Sequence, residues 1–299
     1  MSATRIIAIA LGGNAISPPR GALAFDEERA LIDRAASELA VLAGAGNRLL
    51  IVHGNGPQVG RLLNPGDHST SSAQELDIRV AQTQGELGYL IVDALDRHLG
   101  GPSAVAVITR VLVDPHDAAF ATPTKSIGPV LSQQPAGPAV RLSAGGWRRV
   151  VASPRPLAVV EETAISALLS THHVVAGGGG GVPLGSTPAS HPPQAAVVDK
   201  DWVAALLAVK VGAAELIFVT DVEHACDGFE STHQRPIERM TTRQAQEKLA
   251  AGAFAPGSMA PKIEAAITYA ANTGRGARIA ALGSIAAARD GKSGTLIVP

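Results

Sequence analysis

The chain reads as an α/β protein with a mostly parallel sheet and helices on both faces. Short apolar runs alternate with helical patterns along it, and three of those runs end in glycine-rich turns. The turns are Leu11-Gly12-Gly13-Asn14-Ala15, His53-Gly54-Asn55-Gly56-Pro57-Gln58, and Gly177 to Gly181 followed by Val182-Pro183. In an open parallel sheet, ligands sit in the crevice outside the carboxyl ends of the strands. Glycines there let the backbone approach an anion closely. Three such turns in one chain predict a site that surrounds a ligand with several phosphate oxygens.

The elements follow in order. Ile6–Leu11 is the first strand, and a helix near Asp26–Ala43 can end at Gly44 and Gly46. Leu49–Val52 leads to the second glycine turn. A long helix spans roughly Ala73–Leu99, where Leu76, Val80, Leu87, Leu90, Ile91, Ala94 and Leu95 recur at helical spacing. The apolar run Ala104–Val113 predicts one strand. Between Asp114 and Pro156 the alternation breaks: prolines 115, 123, 129, 135, 138, 154 and 156 stand among glycines. That stretch is too long for an ordinary connection. Phe120, Trp147 and several valines give it something to pack, so it reads as a small lid rather than a linker. A helix near Glu161–Ser170 then precedes a strand at Val174–Ala176. Asp201–Val211 precedes Glu215–Val219, and Thr241–Ala250 is followed by Phe254-Ala255-Pro256-Gly257-Ser258. Ser258 fits as N-cap of a helix over Pro261–Asn272. Arg278–Leu282 and Thr295–Val298 complete the strands. There is no tandem repeat. We read one domain, 1–299, with 114–156 inserted as a lid.

Composition bounds the function. The 299 residues are 46% hydrophobic and only 3% aromatic, with mean hydropathy +0.18, which predicts an aliphatic, alanine-filled core. A net charge of −1 gives no reason to expect a nucleic-acid or membrane-surface partner. No apolar run approaches the ~20 residues of a membrane helix. The N-terminus lacks a signal-peptide layout, and the single cysteine, Cys226, fits a reducing compartment. The expectation is a soluble cytoplasmic protein. Lysines are few, six against nineteen arginines, so a lysine in a motif stands out: its compact ammonium serves phosphoryl transfer in a way the guanidinium fork does not.

Three segments hold the candidate chemistry. Val198-Asp199-Lys200-Asp201 opens a helix with two carboxylates around one lysine; a helix cap beside a solvated lysine would give the same letters. Thr220-Asp221-Val222-Glu223 follows a strand and fits nucleotide or metal binding, or a turn. Pro256 to Lys262 opens another helix, whose free amides attract phosphate. Lys262 in that first turn opposes the usual preference for acids there, which argues against a purely structural role. Several sites are excluded. The sequence has no GxxxxGK[ST] loop, no dinucleotide fingerprint near the N-terminus, no H-E-x-x-H and no G-x-S-x-G elbow. One cysteine gives no reason to expect a structural zinc site.

Read together, these segments resemble the carbamate kinases of the amino acid kinase superfamily over nearly the whole chain. The resemblance also runs through Gln84-Gly85-Glu86-Leu87-Gly88-Tyr89, Pro123-Thr124-Lys125-Ser126-Ile127-Gly128-Pro129, Gly146-Trp147-Arg148-Arg149-Val150-Val151, and Pro261-Lys262-Ile263-Glu264-Ala265-Ala266. It implies a three-layer αβα sandwich with the protruding lid, a homodimer with the long helix near the interface, and reversible transfer of a phosphoryl group between ATP and carbamate, giving ADP and carbamoyl phosphate. By position it implies that Gly12, Gly13, Asn14, Gly54, Asn55, Gly179 and Gly180 face the transferred group. Lys200 and Lys262 would neutralise its charge, and Asp201 would orient them. Lys125 would reach carbamoyl phosphate from the lid. Thr220, Asp221, Val222 and Met259 would hold the nucleotide with Mg²⁺, without a dedicated protein metal site. The pattern departs from the family at a shorter stretch between Pro129 and Gly146, at Gly145 and at Glu223. The same site would suit a kinase for another small acid, or a nucleotide-binding regulator without turnover. Lys125, Lys200 and Lys262 together speak against the last.

Overall fold

Side-chain alternation along the first strand sets up the architecture. The computed structural model describes residues 5–16, 25–62, 75–142, 145–186, 192–229 and 233–299. The chain runs β1 (Arg5–Leu11), α1 (Gly13–Ile16), α2 (Phe25–Gly44), β2 (Asn47–His53), α3 (Gly56–Leu62), α4 (Leu76–Leu99), β3 (Ala104–Ala106) and β4 (Arg110–Val113). Then come β5 (Lys125–Leu131), β6 (Ala139–Arg141), β7 (Trp147–Val151), β8 (Pro156–Val159), α5 (Glu162–Leu168), β9 (His173–Val175) and β10 (Val182–Gly185). The last third holds α6 (Lys200–Lys210), β11 (Glu215–Thr220), β12 (Ala225–Asp227), β13 (Arg235–Ile237), β14 (Arg239–Thr241), α7 (Thr242–Ala250), α8 (Met259–Thr273), β15 (Ala277–Ala281), α9 (Ile285–Arg289) and β16 (Thr295–Val298).

Eight strands form the main sheet in the order β14-β16-β15-β11-β1-β2-β9-β3. Neighbours are parallel except β15 with β16. In β1, Ile7, Ile9 and Leu11 face α2 and α4, packing with Ile32, Leu39, Leu87 and Ile91. Ala8 and Ala10 face the other way, into a cluster with Val203, Ala204, Leu207 and Ala208 of α6 and Ile263, Ala266 and Tyr269 of α8. Both faces are dry because both are covered, which is the condition for a parallel sheet. The small side chains on the α6/α8 face let those helices approach closely. Replacing Ile9, wholly buried, by alanine would cost about 2–5 kcal/mol.

Among the described residues the predicted strands and helices are present, with shifted boundaries; positions 73 and 74, at the expected start of the long helix, lie outside those residues. Two expectations are corrected. The run Ala104–Val113 is not one strand. β3 pairs with β9 in the main sheet, whereas β4 pairs with β10 and β8 in a second sheet. The break is at Thr109, whose N–H donates to Gln84 Oε1 at 2.8 Å, while its carbonyl accepts from Gln84 Nε2 at 3.1 Å and from Val182 N–H of β10 at 2.9 Å. Ser258 does stand at the N-cap of α8, but its hydroxyl makes no capping bond. Its carbonyl instead accepts from Lys262 Nζ at 3.1 Å.

Between β4 and β8 the chain builds the three-stranded antiparallel sheet β5-β7-β6. Its edge strand β5 packs on the rest of the molecule. Ile127 joins Val59, Leu76, Val80 and Val197 in a buried cluster. Gly60 of α3 abuts Gly128, so closely that a Cβ on Gly60 would lie 2.4 Å from Gly128 Cα. Only glycine at that position allows α3 and β5 to meet backbone to backbone.

Candidate active site

The strand order changes direction at β1: β2 lies on one side of it and β11 on the other. A crevice opens there beyond the carboxyl ends. It is a cavity of about 600 Å³, walled by Gly12, Gly13, Gly54, Asn55 and Gly56 after β1 and β2, and by Thr220, Asp221 and Val222 after β11. The N-terminal ends of α6 and α8 supply Asp199, Lys200, Asp201, Met259 and Lys262. Thr124, Lys125, Ser126 and Arg148 close one side from the β5-β7 sheet.

Asp201 is the electrostatic centre. It is buried on α6, accepts from Lys200 Nζ with Oδ1, and accepts from Lys262 Nζ with Oδ2 at 3.2 Å. Burial alone would raise its pKa, but the Lys200 and Lys262 ammoniums outweigh that and hold it down at about 2. Asp201 is therefore ionised throughout the neutral range. Burial pushes Lys200 below the ordinary lysine value; Asp201 opposes that shift, while Lys262 adds to it. One carboxylate so fixes two ammoniums from different helices, each retaining N–H donors for an anion.

Asp199 caps α6, its Oδ1 accepting from Asp201 N–H at 2.9 Å. Its other oxygen accepts from Lys125 Nζ at 2.6 Å. The segment is thus part cap and part cavity wall: Asp199 caps the helix, while Lys200 lines the cavity instead of standing in solvent.

The glycine turns divide into two kinds. Gly12, Gly13 and Gly54 line the cavity, although the N–H groups of Gly12 and Gly54 already donate to Val219 O and Leu11 O. They contribute mainly the space a side chain would take. The third turn is packed shut. Gly179, with φ +62°, lies where a Cβ would fall 2.0 Å from Asn55 Nδ2. Gly180 does not line the cavity: Val198 O occupies its would-be Cβ position, and its N–H donates to Gly177 O. This turn chiefly lets Asn55 sit deep, with its Nδ2 donating to Thr83 Oγ1 at 2.8 Å. The side chain of Asn14 lies outside the described residues. His53, under the second turn, donates from Nδ1 to Gly54 O at 3.0 Å. Burial drops its pKa to about 4, against the Gly54 bond and with help from Lys200, so the imidazole is neutral.

Residues 5–281 match the amino acid kinase family. The chain belongs to that family. Among amino acid kinases, it is similar to carbamate kinase of Halobacterium salinarum, 38% identical with 97% of each chain covered. It is likewise similar to carbamate kinase of Escherichia coli, 38% identical over 98% of this chain and 99% of that one. Among solved structures, carbamate kinase from Giardia lamblia bound to AMP-PNP superposes with a TM-score of 0.89 at 34% identity, covering 100% of this chain and 99% of that one.

As an amino acid kinase the chain brings most of the expected residues to one cavity. Lys125, Lys200, Asp201, Lys262, Gly12, Gly13, Gly54, Asn55, Gly179, Thr220, Asp221, Val222 and Met259 all line it. Glu223 does not; it accepts from Ser284 Oγ at 3.3 Å. Sequence reasoning missed Arg148, His224, Cys226 and Phe229 in the wall. Arg148 donates from Nε to Gly128 O at 3.0 Å; only the β5-β7 register brings it beside the lysine strand. Among the described residues, no group of three or more His, Cys, Asp or Glu could hold a metal ion, and no helix is long and apolar enough to cross a membrane.

Proposed function

We infer that the protein is a kinase that transfers a phosphoryl group reversibly between ATP and carbamate, giving ADP and carbamoyl phosphate. The observation that carries this reading is full-length similarity to carbamate kinases, joined to a cavity in which three lysines meet a glycine-lined crevice. Such a transfer asks little covalent chemistry of the protein; positioning and charge stabilisation supply most of the rate. In the ATP-forming direction, a β-phosphate oxygen of ADP attacks phosphorus, the bond from phosphorus to the carbamoyl oxygen breaks, and carbamate leaves. Lys200 and Lys262 meet the charge on the equatorial oxygens, held apart and in place by Asp201. Gly12, Gly13 and Gly54 leave room for the group to come close, with Asn55 beside them. Lys125 and Arg148 face the carbamoyl end. Thr220, Asp221, Val222 and Met259, with Phe229 and Phe254 nearby, form the nucleotide end.

Mg²⁺ fits as the companion of the nucleotide phosphates, whose charge it shields. Mg²⁺ readily keeps substrate oxygens and waters as ligands, so the nucleotide itself can carry it. Calorimetry should find no tight Mg²⁺ binding to nucleotide-free protein; tight binding would point to a protein cage instead. The segment 114–156 acts as a lid in this reading. The protein works as a cytoplasmic homodimer, making ATP during arginine or agmatine breakdown. Ile78 and Tyr89, exposed at 53% and 59% and three turns apart on α4, support an interface there; light scattering after gel filtration tests it. The decisive assay mixes protein, ADP, Mg²⁺ and carbamoyl phosphate and reads ATP, with acetyl phosphate in parallel. ATP from carbamoyl phosphate is expected. Turnover of other acyl phosphates alone would move the substrate to another small acid.

A further inference from the structure

We propose that Asp199 is a positioning residue that holds the Lys125 ammonium over the acceptor end of the cavity. This rests on the reading of the site as a phosphoryl-transfer centre. Lys125 lies on β5, outside the main sheet, and its side chain is 28% exposed. A long side chain on such a strand has many rotamers, and fixing one costs entropy. Asp199 removes that freedom. Its carboxylate is 13% exposed and is itself anchored, with Oδ1 committed to Asp201 N–H at the first turn of α6. Oδ2 then accepts one N–H of Lys125 at 2.6 Å. An ammonium has three donors, so two remain for an anion in the cavity.

The same contact answers an electrostatic problem. Asp199 lines a cavity that must accept anions. Lys125 and the α6 N-terminus balance its charge. Without Lys125, the carboxylate would face the acyl phosphate and repel it. Lys125→Ala therefore carries two penalties, a lost donor and an exposed like charge. Neutralising Asp199 in that background should remove the second.

Asp199→Asn separates positioning from capping, because asparagine is as good an N-cap as aspartate. The test is a double-mutant cycle of Asp199→Asn, Lys125→Ala and both together. It is read as kcat/KM for the acyl phosphate that wild type turns over, beside ADP affinity by calorimetry and the melting temperature. Asp199→Asn should lower kcat/KM for that acyl phosphate roughly tenfold, between the effects of exposed and buried ion pairs, with ADP affinity and melting unchanged. The double variant should be several-fold more active than Lys125→Ala alone. A double variant equal to the product of the singles, an Asp199→Asn enzyme with full kcat/KM, or parallel losses of ADP affinity and melting temperature would each overturn the proposal. Failure of carbamoyl phosphate as the wild-type substrate would instead revise the proposed reaction, and the cycle would be run on the acyl phosphate that does turn over.

Discussion

The lysines of this cavity stand on two kinds of ground. Lys200 and Lys262 project from the first turns of α6 and α8, helices that pack on each other and on the main sheet, and their side chains are 11% and 10% exposed. They share one buried carboxylate. Lys125 comes from β5, an edge strand of a small antiparallel sheet, and meets a different carboxylate. In the proposed reaction this difference would separate two tasks. Charge that develops on the transferred phosphoryl group is best met by cations that need not move. An acceptor that must enter and leave is better met by a cation on an element with fewer attachments. The β5-β7-β6 sheet is nevertheless tied to the same helices. Between β7 and β8, Arg155 lies over the Trp202 ring of α6 at 3.2 Å, pairs with Glu264 of α8 at 3.0 Å, and donates its N–H to Asp117 at 3.0 Å.

If the contrast is right, the largest loss comes from the buried pair. Lys200→Ala or Lys262→Ala should lower kcat by about 10²-fold or more, with a smaller change in nucleotide KM. Full kcat with only a raised KM would show uniform binding groups and erase the distinction. Lys125→Ala should cost roughly 10–10²-fold in kcat/KM for carbamoyl phosphate, on the scale of losing a charged hydrogen-bond partner, while nucleotide affinity stays nearly intact. Lys125→Arg should rescue it only in part, because the fork has a different shape. Equal losses for both substrates, or a loss for neither, would remove Lys125 from the acceptor end.

The pH dependence sharpens the same comparison. Burial lowers the Lys200 pKa from the ordinary 10.5, so its proton leaves below that pH. The alkaline limb of kcat/KM, which reports the free enzyme, should fall below pH 10.5. Asp201 holds that proton on, so Asp201→Asn should move the limb to still lower pH; a limb that stays put would mean another group sets it. The smallest effect belongs to the outer tie. Arg155→Ala gives up an exposed ion pair and a ring contact, about 1 kcal/mol, and should lower the melting temperature by about 2 °C while changing kcat less than any lysine variant. A loss as large as that of Lys125→Ala would make the tie part of the working site.

Much of this was legible because it is local. The apolar spacing of Leu76 to Leu95 is a helix wherever it occurs, and α4 follows it. Lys262 stands out because a cation is out of place in a helix's first turn; in the structure it reaches Asp201 on α6, 61 positions away. Other features had no local signature. Nothing in Ala104–Val113 marks Thr109 as a break, because the group that breaks the strand, Gln84, arrives from another helix. Gly177 to Gly181 reads as a phosphate turn, yet of the five glycines Gly179 alone lines the cavity, and the turn is packed closely on His53, Asn55, Val198 and Val111.

By itself, then, the sequence determined the alternation of strands and helices, the two-faced core, and the residue types that gather at the strand ends. Those follow from periodicity, capping and composition, which act over a few residues. The tertiary structure decided which lysine meets which carboxylate. Lys125 and Asp199 are 74 positions apart, and their contact depends on α3 and β5 meeting at Gly60 and Gly128. Coulomb energies change steeply over a few ångströms, and only the packing of the whole chain sets distances on that scale.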